Sequence, residues 1–212
     1  LHIPGWGSGY SSFAYNLAGA VTAAAAGGFA NFTELVTDTV MDELNLTTLS
    51  PGYVWKDKTL LVDDWTDQFE VINDKTVLSK RHDISWKLPS GGFVSSTEDL
   101  LKFCRGLTQN KLIHQPKAMQ IPYENIFGLT SEYAVGWKVP DPQNPKHLSH
   151  NGTHIGGLSQ VDWFSEEIGG KKSSVCIVLF SNTTNYSFPI WDLSEELYRV
   201  YFYNKDEQKR LQ

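Results

Sequence analysis

The stretch "PKHLSHNGTHIGGLSQVDWF", residues 145–164, carries three histidines between glycine and proline punctuators, and it admits two structures. On a helix, His147, His150 and His154 fall at i, i+3 and i+7 and share one face, as ligands of a zinc ion do. The Asn151-Gly152 and Gly156-Gly157 pairs break a helix, however, and on a strand His147 and His150 point to opposite faces. The stretch therefore reads as strand, turn, strand, and no metal or other cofactor is expected. Working outward, "EYAVGWKV" (132–139), "SSVCIVLFS" (173–181) and the charged turn "SEEIGGKK" between strands extend this into an antiparallel meander. "VCIVLF" has the unbroken apolar run of a central, doubly buried strand. Beyond it, "IWDLSEELYRVYFY" is an amphipathic helix expected to turn Trp191, Leu193, Leu197, Tyr198 and Tyr201 to the sheet.

The preceding half of the chain reads as helices. Residues 10–27 place Phe13, Leu17, Ala20, Val21 and Ala24 at helical spacing before a Gly27-Gly28 stop, which predicts a helix buried on that side. In "NFTELVTDTVMDELNL", Asn31 is the N-cap and Glu34 stands three residues on. In "SGGFVSSTEDLLKFCRGL", Ser96 caps a third helix with Leu100, Leu101, Phe103 and Cys104 inside. Residues 50–87 are polar, aromatic and irregular, with "TLLVDDW" and "QFEVIN" as short hairpin pieces. The expected fold class is α/β in the α+β sense, an antiparallel sheet flanked by helices. Its parts are a mainly helical lobe at 1–130, with the excursion at 50–87, and the sheet with its helix at 131–212, both within one domain.

Composition excludes several functions. Eighteen basic and 24 acidic residues give a net charge of −6 with no basic stripe, so nucleic acid is not the partner. The longest weakly apolar run, "NLAGAVTAAAAGGFA", is too short to span a bilayer. Cys104 and Cys176, each in an apolar context, read as core thiols. Sequons at Asn31, Asn45, Asn151, Asn182 and Asn185 point to a secretory route, with a mitochondrial or periplasmic home as the alternatives.

Four segments in register, "PGWGSGYSSFAYNLAGAV", "SGGFVSSTEDLLKF", "YAVGWKV" and "HNGTHIGGLSQVDWF...VCIVLFSN", resemble the serine β-lactamase-like family. That family includes class C β-lactamases, DD-peptidases, esterases and mitochondrial β-lactamase-like proteins. The resemblance covers nearly the whole chain and implies a β-lactamase/transpeptidase-like fold, incomplete at the N-terminus. Its Tyr-x-Asn motif falls on Tyr10, Ser11 and Ser12. The tyrosine would relay a proton at the nucleophile. Ser12 replaces the amide that would contact a substrate carbonyl, which argues against β-lactam recognition. The Lys-Thr-Gly strand, often His-x-Gly in the esterase and peptidase branches, falls on His150, Asn151 and Gly152. Gly152 would admit a substrate to the strand edge, the N–H of Thr153 would be one oxyanion donor, and His150 would polarise the site or hold a carboxylate. Asn151, inside that site, is expected to carry no glycan.

The Ser-x-x-Lys motif whose serine is acylated occurs nowhere in the chain; "TQNK" at 108–111 is the nearest form. It is expected on an N-terminal segment or a companion chain. Asp63-Asp64 and Glu166-Glu167 read as solvated acids, and Asp162 as a structural partner. The expected function is part of a serine hydrolase acting on a small ester or peptide-like amide. The alternative is a catalytically inactive scaffold used for binding or assembly.

Overall fold

The computed structural model describes residues 3, 5–27, 31–52, 66–80, 82–113, 119–141, 143, 146–168, 170–184 and 190–210, with the backbone alone at 168 and 203–210. The helices are α1 (Ser12–Ala26), α2 (Phe32–Val36), α3 (Asp42–Leu44), α4 (Leu88–Gly91), α5 (Thr97–Thr108) and α6 (Ile190–Arg210). The strands are β1 (Ser50–Pro51), β2 (Phe69–Ile72), β3 (Lys75–Leu78), β4 (Phe93–Val94), β5 (His147–His154), β6 (Gly157–Ile168), β7 (Lys171–Ser181) and β8 (Thr183–Thr184). Two compact units share the chain and interleave along it. One comprises 1–6, 67–79 and 117–212, the other 7–66 and 80–116. The piece "TLLVDDW", with Asp63 and Asp64, lies outside the described residues, as do Gly28 and Asn185.

In the helical unit, Ser11 caps α1 by accepting the Ala14 N–H at 3.2 Å, and Gly27 ends it at φ +66°. The expected inner face is not the buried one: Phe13, Leu17 and Val21 are exposed, while Gly19 and Ala23 are buried. Close approach decides this, because a Cβ on Gly19 would stand 2.5 Å from the ring of Pro89. Asn31 caps α2 as expected, Oδ1 accepting the Glu34 N–H at 3.0 Å, and the helix runs through a π turn (Thr37–Met41) into α3. Ser96 Oγ likewise accepts the Asp99 N–H at the start of α5. That helix buries Asp99, Cys104, Gly106 and Leu107, whereas Leu101 is exposed. The Asp99 carboxylate accepts from the N–H and hydroxyl of Thr48 at 2.6 and 2.7 Å and from Lys102 at 3.0 Å. It thereby ties the segment after α3 to α5.

In the other unit, β5, β6 and β7 form an antiparallel sheet in that order, with unbroken register from His147↔Phe164 to His154↔Gly157 and from Leu158↔Ser181 to Ile168↔Lys171. The meander is as expected, but its centre is β6. "VCIVLF" lies on β7, at the edge among the described strands and half-buried except at exposed Phe180, because two successive hairpins, closing at His154↔Gly157 and Ile168↔Lys171, pair β6 on both sides. "EYAVGWKV" is not a strand. It contributes isolated bridges, Tyr133↔Lys138 and Lys138↔Ser149, and Gly136 turns it at φ +77°. A second sheet pairs the β2–β3 hairpin, turned by Asn73 and Asp74 at positive φ, with β8 in parallel.

Helix α6 buries Ile190, Ser194 and Phe202 with Tyr198 half-covered, whereas Trp191, Leu193, Leu197 and Tyr201 are exposed. The spacing of four residues sets this stripe, and polar anchors fix its rotation: Ser194 Oγ donates to Asp162 at 2.6 Å and the Tyr198 hydroxyl to Glu166 at 2.6 Å. Neither cysteine is the free core thiol expected from its context, since both Cys104 and Cys176 are disulfide-bonded. No helix among the described residues is long and apolar enough to cross a membrane.

Candidate active site

Strand β5 has one edge on β6 and, among the described residues, one edge met only at Ser149. Ser149 turns its N–H and C=O to the open side, where they bond the C=O and N–H of Lys138 at 2.9 and 2.8 Å. Antiparallel pairing alternates with period two. The backbone groups of Asn151 and Thr153 therefore face the same outer edge, beyond the point where Lys138 stops. The N–H of Thr153 is aimed where an added chain or a carbonyl oxygen would lie.

Side chains alternate in the opposite sense. His150 and Gly152 share one face with Val161 and Ser159 across the ladder. His150 Nδ1 lies 3.0 Å from the carbonyl of Asn151, which only accepts, so Nδ1 donates this bond, and in the neutral ring Nε2 is an acceptor. The ring of Tyr133 meets that of His150 edge-on at 6.5 Å between centroids. A Cβ at Gly152 would stand 2.5 Å from Ser159 Oγ, so the glycine leaves room for that hydroxyl on the His150 face. Tyr133, Lys138 and Ser159 complete this neighbourhood and were missed in the sequence. The signal for two of them is "YAVGWKV" itself, whose role depends on bridges rather than on strand periodicity.

The opposite face carries a buried polar cluster. Asp162 accepts from Ser194, from Gln160 Nε2 at 2.7 Å and from His147 Nε2 at 2.7 Å, and Gln160 Nε2 also reaches Ser149 Oγ at 2.9 Å. His147 stacks on Phe164 and Phe164 on Tyr198, each at 4.2 Å between centroids. His147 thus serves the packing of α6 on the sheet and points away from the face of His150. Asp162 is the structural acid expected. Glu166 departs from the solvated reading, because the Tyr198 hydroxyl bond and then Lys146, 3.1 Å away, hold its carboxyl below the usual range against the opposing effect of burial.

Tyr10 and Ser12 belong to the helical unit. Tyr10 is exposed two residues before α1 and Ser12 is the first residue of that helix. The candidate residues thus fall into two groups, His150 to Thr153 on one strand and Tyr10 with Ser12 at one helix start.

No curated protein sequence matches the chain. Among solved structures, FmtA from Staphylococcus aureus superimposes with a TM-score of 0.64 at 15% identity, over 84% of this chain and 45% of that one. The D-amino acid amidase from Ochrobactrum anthropi SV3, complexed with D-phenylalanine, gives 0.63 at 15% identity, over 95% of this chain and 59% of that one. The chain thus spans about half the length of the solved structures it resembles, and its fold is theirs, β-lactamase/transpeptidase-like. The Beta-lactamase family model matches residues 1–193, and this chain belongs to the Beta-lactamase family, on a scaffold of the serine-hydrolase type.

Proposed function

We propose that the chain is part of a serine hydrolase that forms an acyl-enzyme on a small ester or peptide-like amide. The observation that carries this is the outward N–H of Thr153 on the open edge of β5, beside His150. In the proposed reaction a serine of a Ser-x-x-Lys segment, supplied upstream or by a companion chain, attacks the substrate carbonyl. Its proton passes through the lysine and Tyr10 to the leaving group, and the oxyanion is held by the N–H groups of Thr153 and of the serine itself. Collapse breaks the ester or amide bond and releases the alcohol or amine. Water then attacks the acyl-serine, returning the serine and a carboxylic acid. Asn151 lies along the substrate, Gly152 keeps the edge unobstructed, and the neutral His150 ring accepts from it at Nε2; Ser12 is the substrate-binding position that the family resemblance assigns. Ser12 and His150 both depart from the β-lactamase pattern, and one structural neighbour is named an amidase; both favour an open-chain substrate.

A serine-reactive phosphonate tests this. The complete protein, with its Ser-x-x-Lys segment, should be labelled at one serine, and Tyr10→Phe should slow labelling about 10²-fold. Absence of labelling, or identical rates in the variant, sinks the reading. The inactive-scaffold reading is favoured by Ser12, which departs from the Tyr-x-Asn motif of the family. Reading the upstream sequence separates the two, because an intact Ser-x-x-Lys motif there argues for the enzyme. A secretory location is proposed with it, supported by the sequons and by the disulfide-bonded state of Cys104 and of Cys176.

A further inference from the structure

Residues 121–135 form a loop whose polar groups are satisfied locally and whose apolar side chains are not. Tyr123 and Tyr133 pair across its base, Tyr123 taking the Ser131 N–H at 2.7 Å and Tyr133 accepting from Tyr123 at 2.9 Å. At the tip, Asn125 Oδ1 accepts the N–H groups of Phe127 and Leu129, both at 2.9 Å, and Gly128 turns the chain at φ +77°. The N-terminal segment is fastened alongside, with Ile126 N–H on the Gly5 carbonyl at 2.9 Å and Asn125 Nδ2 on that of Trp6 at 3.3 Å. The rings of Trp6 and Phe127 meet edge-on at 5.9 Å. Yet Ile126 and Phe127 are each 63% exposed and Leu129 is 68% exposed. An ordered loop that holds several large apolar side chains in water is a binding surface more often than an accident.

Its position names what it binds. The base of the loop is Tyr133, whose ring touches His150, and Tyr133 bridges Lys138, which in turn bridges Ser149 on the open edge of β5. The base of the loop that carries the apolar surface is thus joined to the strand edge on which a substrate is proposed to lie. We propose that the Trp6–Ile126–Phe127–Leu129 surface is the subsite for an apolar group of the substrate, so that the preferred ester or amide carries a medium-length alkyl or aromatic acyl chain. This deepens the proposed function and rests on it for the word substrate, but binding can be read without turnover.

The test is a series of neutral, unreactive amides, acetamide, butyramide, hexanamide and octanamide, titrated into the folded chain and into the complete protein by saturation-transfer NMR. Affinity should rise up to about fourfold per added methylene. The exposed-site variants Ile126→Ser and Phe127→Ser should flatten that slope, while Val200→Ser, equally exposed on α6, should leave it intact. No chain-length dependence, or a slope unchanged in both loop variants, overturns the proposal. Self-association that is abolished by Phe127→Ser, with no amide binding, overturns it in favour of a second copy on this surface. Loss of phosphonate labelling with the slope preserved would count against the reaction and leave the apolar subsite standing.

Discussion

His147 Nε2 donates to Oδ1 of Asp162 at 2.7 Å, across the first antiparallel rungs of the sheet, and on its other oxygen Asp162 receives Ser194 from helix α6 and Gln160 from its own strand. One carboxylate, 2% exposed, thus joins two strands and the last helix. A buried carboxylate is tolerable only while its acceptor sites are filled. Ser194→Ala removes one donor where no water reaches, and is expected to cost about 1–3 kcal/mol in urea unfolding. Glu195→Ala, one residue on and exposed, should change stability by less than about 0.5 kcal/mol. Equal effects of the two would show that the Asp162 bond does not fasten α6.

Gly19 makes a prediction whose sign depends on two opposing terms. In a helix interior, glycine to alanine gains up to about 1 kcal/mol in propensity. Here the new Cβ would stand 2.5 Å from Cβ and Cγ of Pro89, in a ring that cannot turn aside, and 3.2 Å from Phe32. Overpacking of this kind costs about 1–3 kcal/mol. Gly19→Ala should therefore lower the thermal midpoint, while Gly27→Ala at the end of the same helix meets no atom within 4 Å and is strained only by its φ of +66°.

What the sequence disclosed followed from local rules. The caps at Asn31 and Ser96 and the glycine-broken strand pair at 147–164 depend on neighbours three residues apart or on period two, and all are present. The rotation of helices was not legible, because in α1 the small residues Gly19 and Ala23 outrank Phe13 and Leu17 at the contact, and in α6 hydrogen bonds to Asp162 and Glu166 fix the register. Strand order was misread from composition: apolarity marked β7, whereas the two hairpins closing at His154↔Gly157 and Ile168↔Lys171 put β6 at the centre. At the site, the edge direction of Thr153 follows from the Lys138 bridge, a contact between residues eleven apart in sequence that no pattern announces.

Asp99 links pH to the stability of the helical unit. Burial pushes its carboxyl up, but the hydroxyl and N–H of Thr48 and the ammonium of Lys102 outweigh it and leave the group below its ordinary 3.8. A carboxyl depressed on folding contributes stability that is complete above the unfolded value and is lost as pH falls through the folded one. Unfolding free energy should thus decline on acidification from about pH 5 downward. Asp99→Asn should remove part of that acid limb. A variant with the same acid limb as the wild type would show that Asp99 does not carry it.

Gly152 and Ser159 separate stability from chemistry. An added methyl at Gly152 meets Ser159, with Oγ at 2.5 Å and Cβ at an ordinary 3.9 Å, and a serine hydroxyl can rotate to another staggered position. Gly152→Ala should therefore alter unfolding free energy by no more than about 1 kcal/mol. The methyl nevertheless takes the place of that hydroxyl on the face of His150, beside the outward N–H of Thr153. Misplacement of a substrate by about 1 Å can cost about 10²-fold. In the complete protein, phosphonate labelling should fall at least tenfold while urea midpoints barely move. Pairing the change with Ser159→Gly should restore the stability but not the rate, because the methyl remains on the substrate side. Labelling at the wild-type rate in Gly152→Ala would place the reaction elsewhere than on this edge of β5.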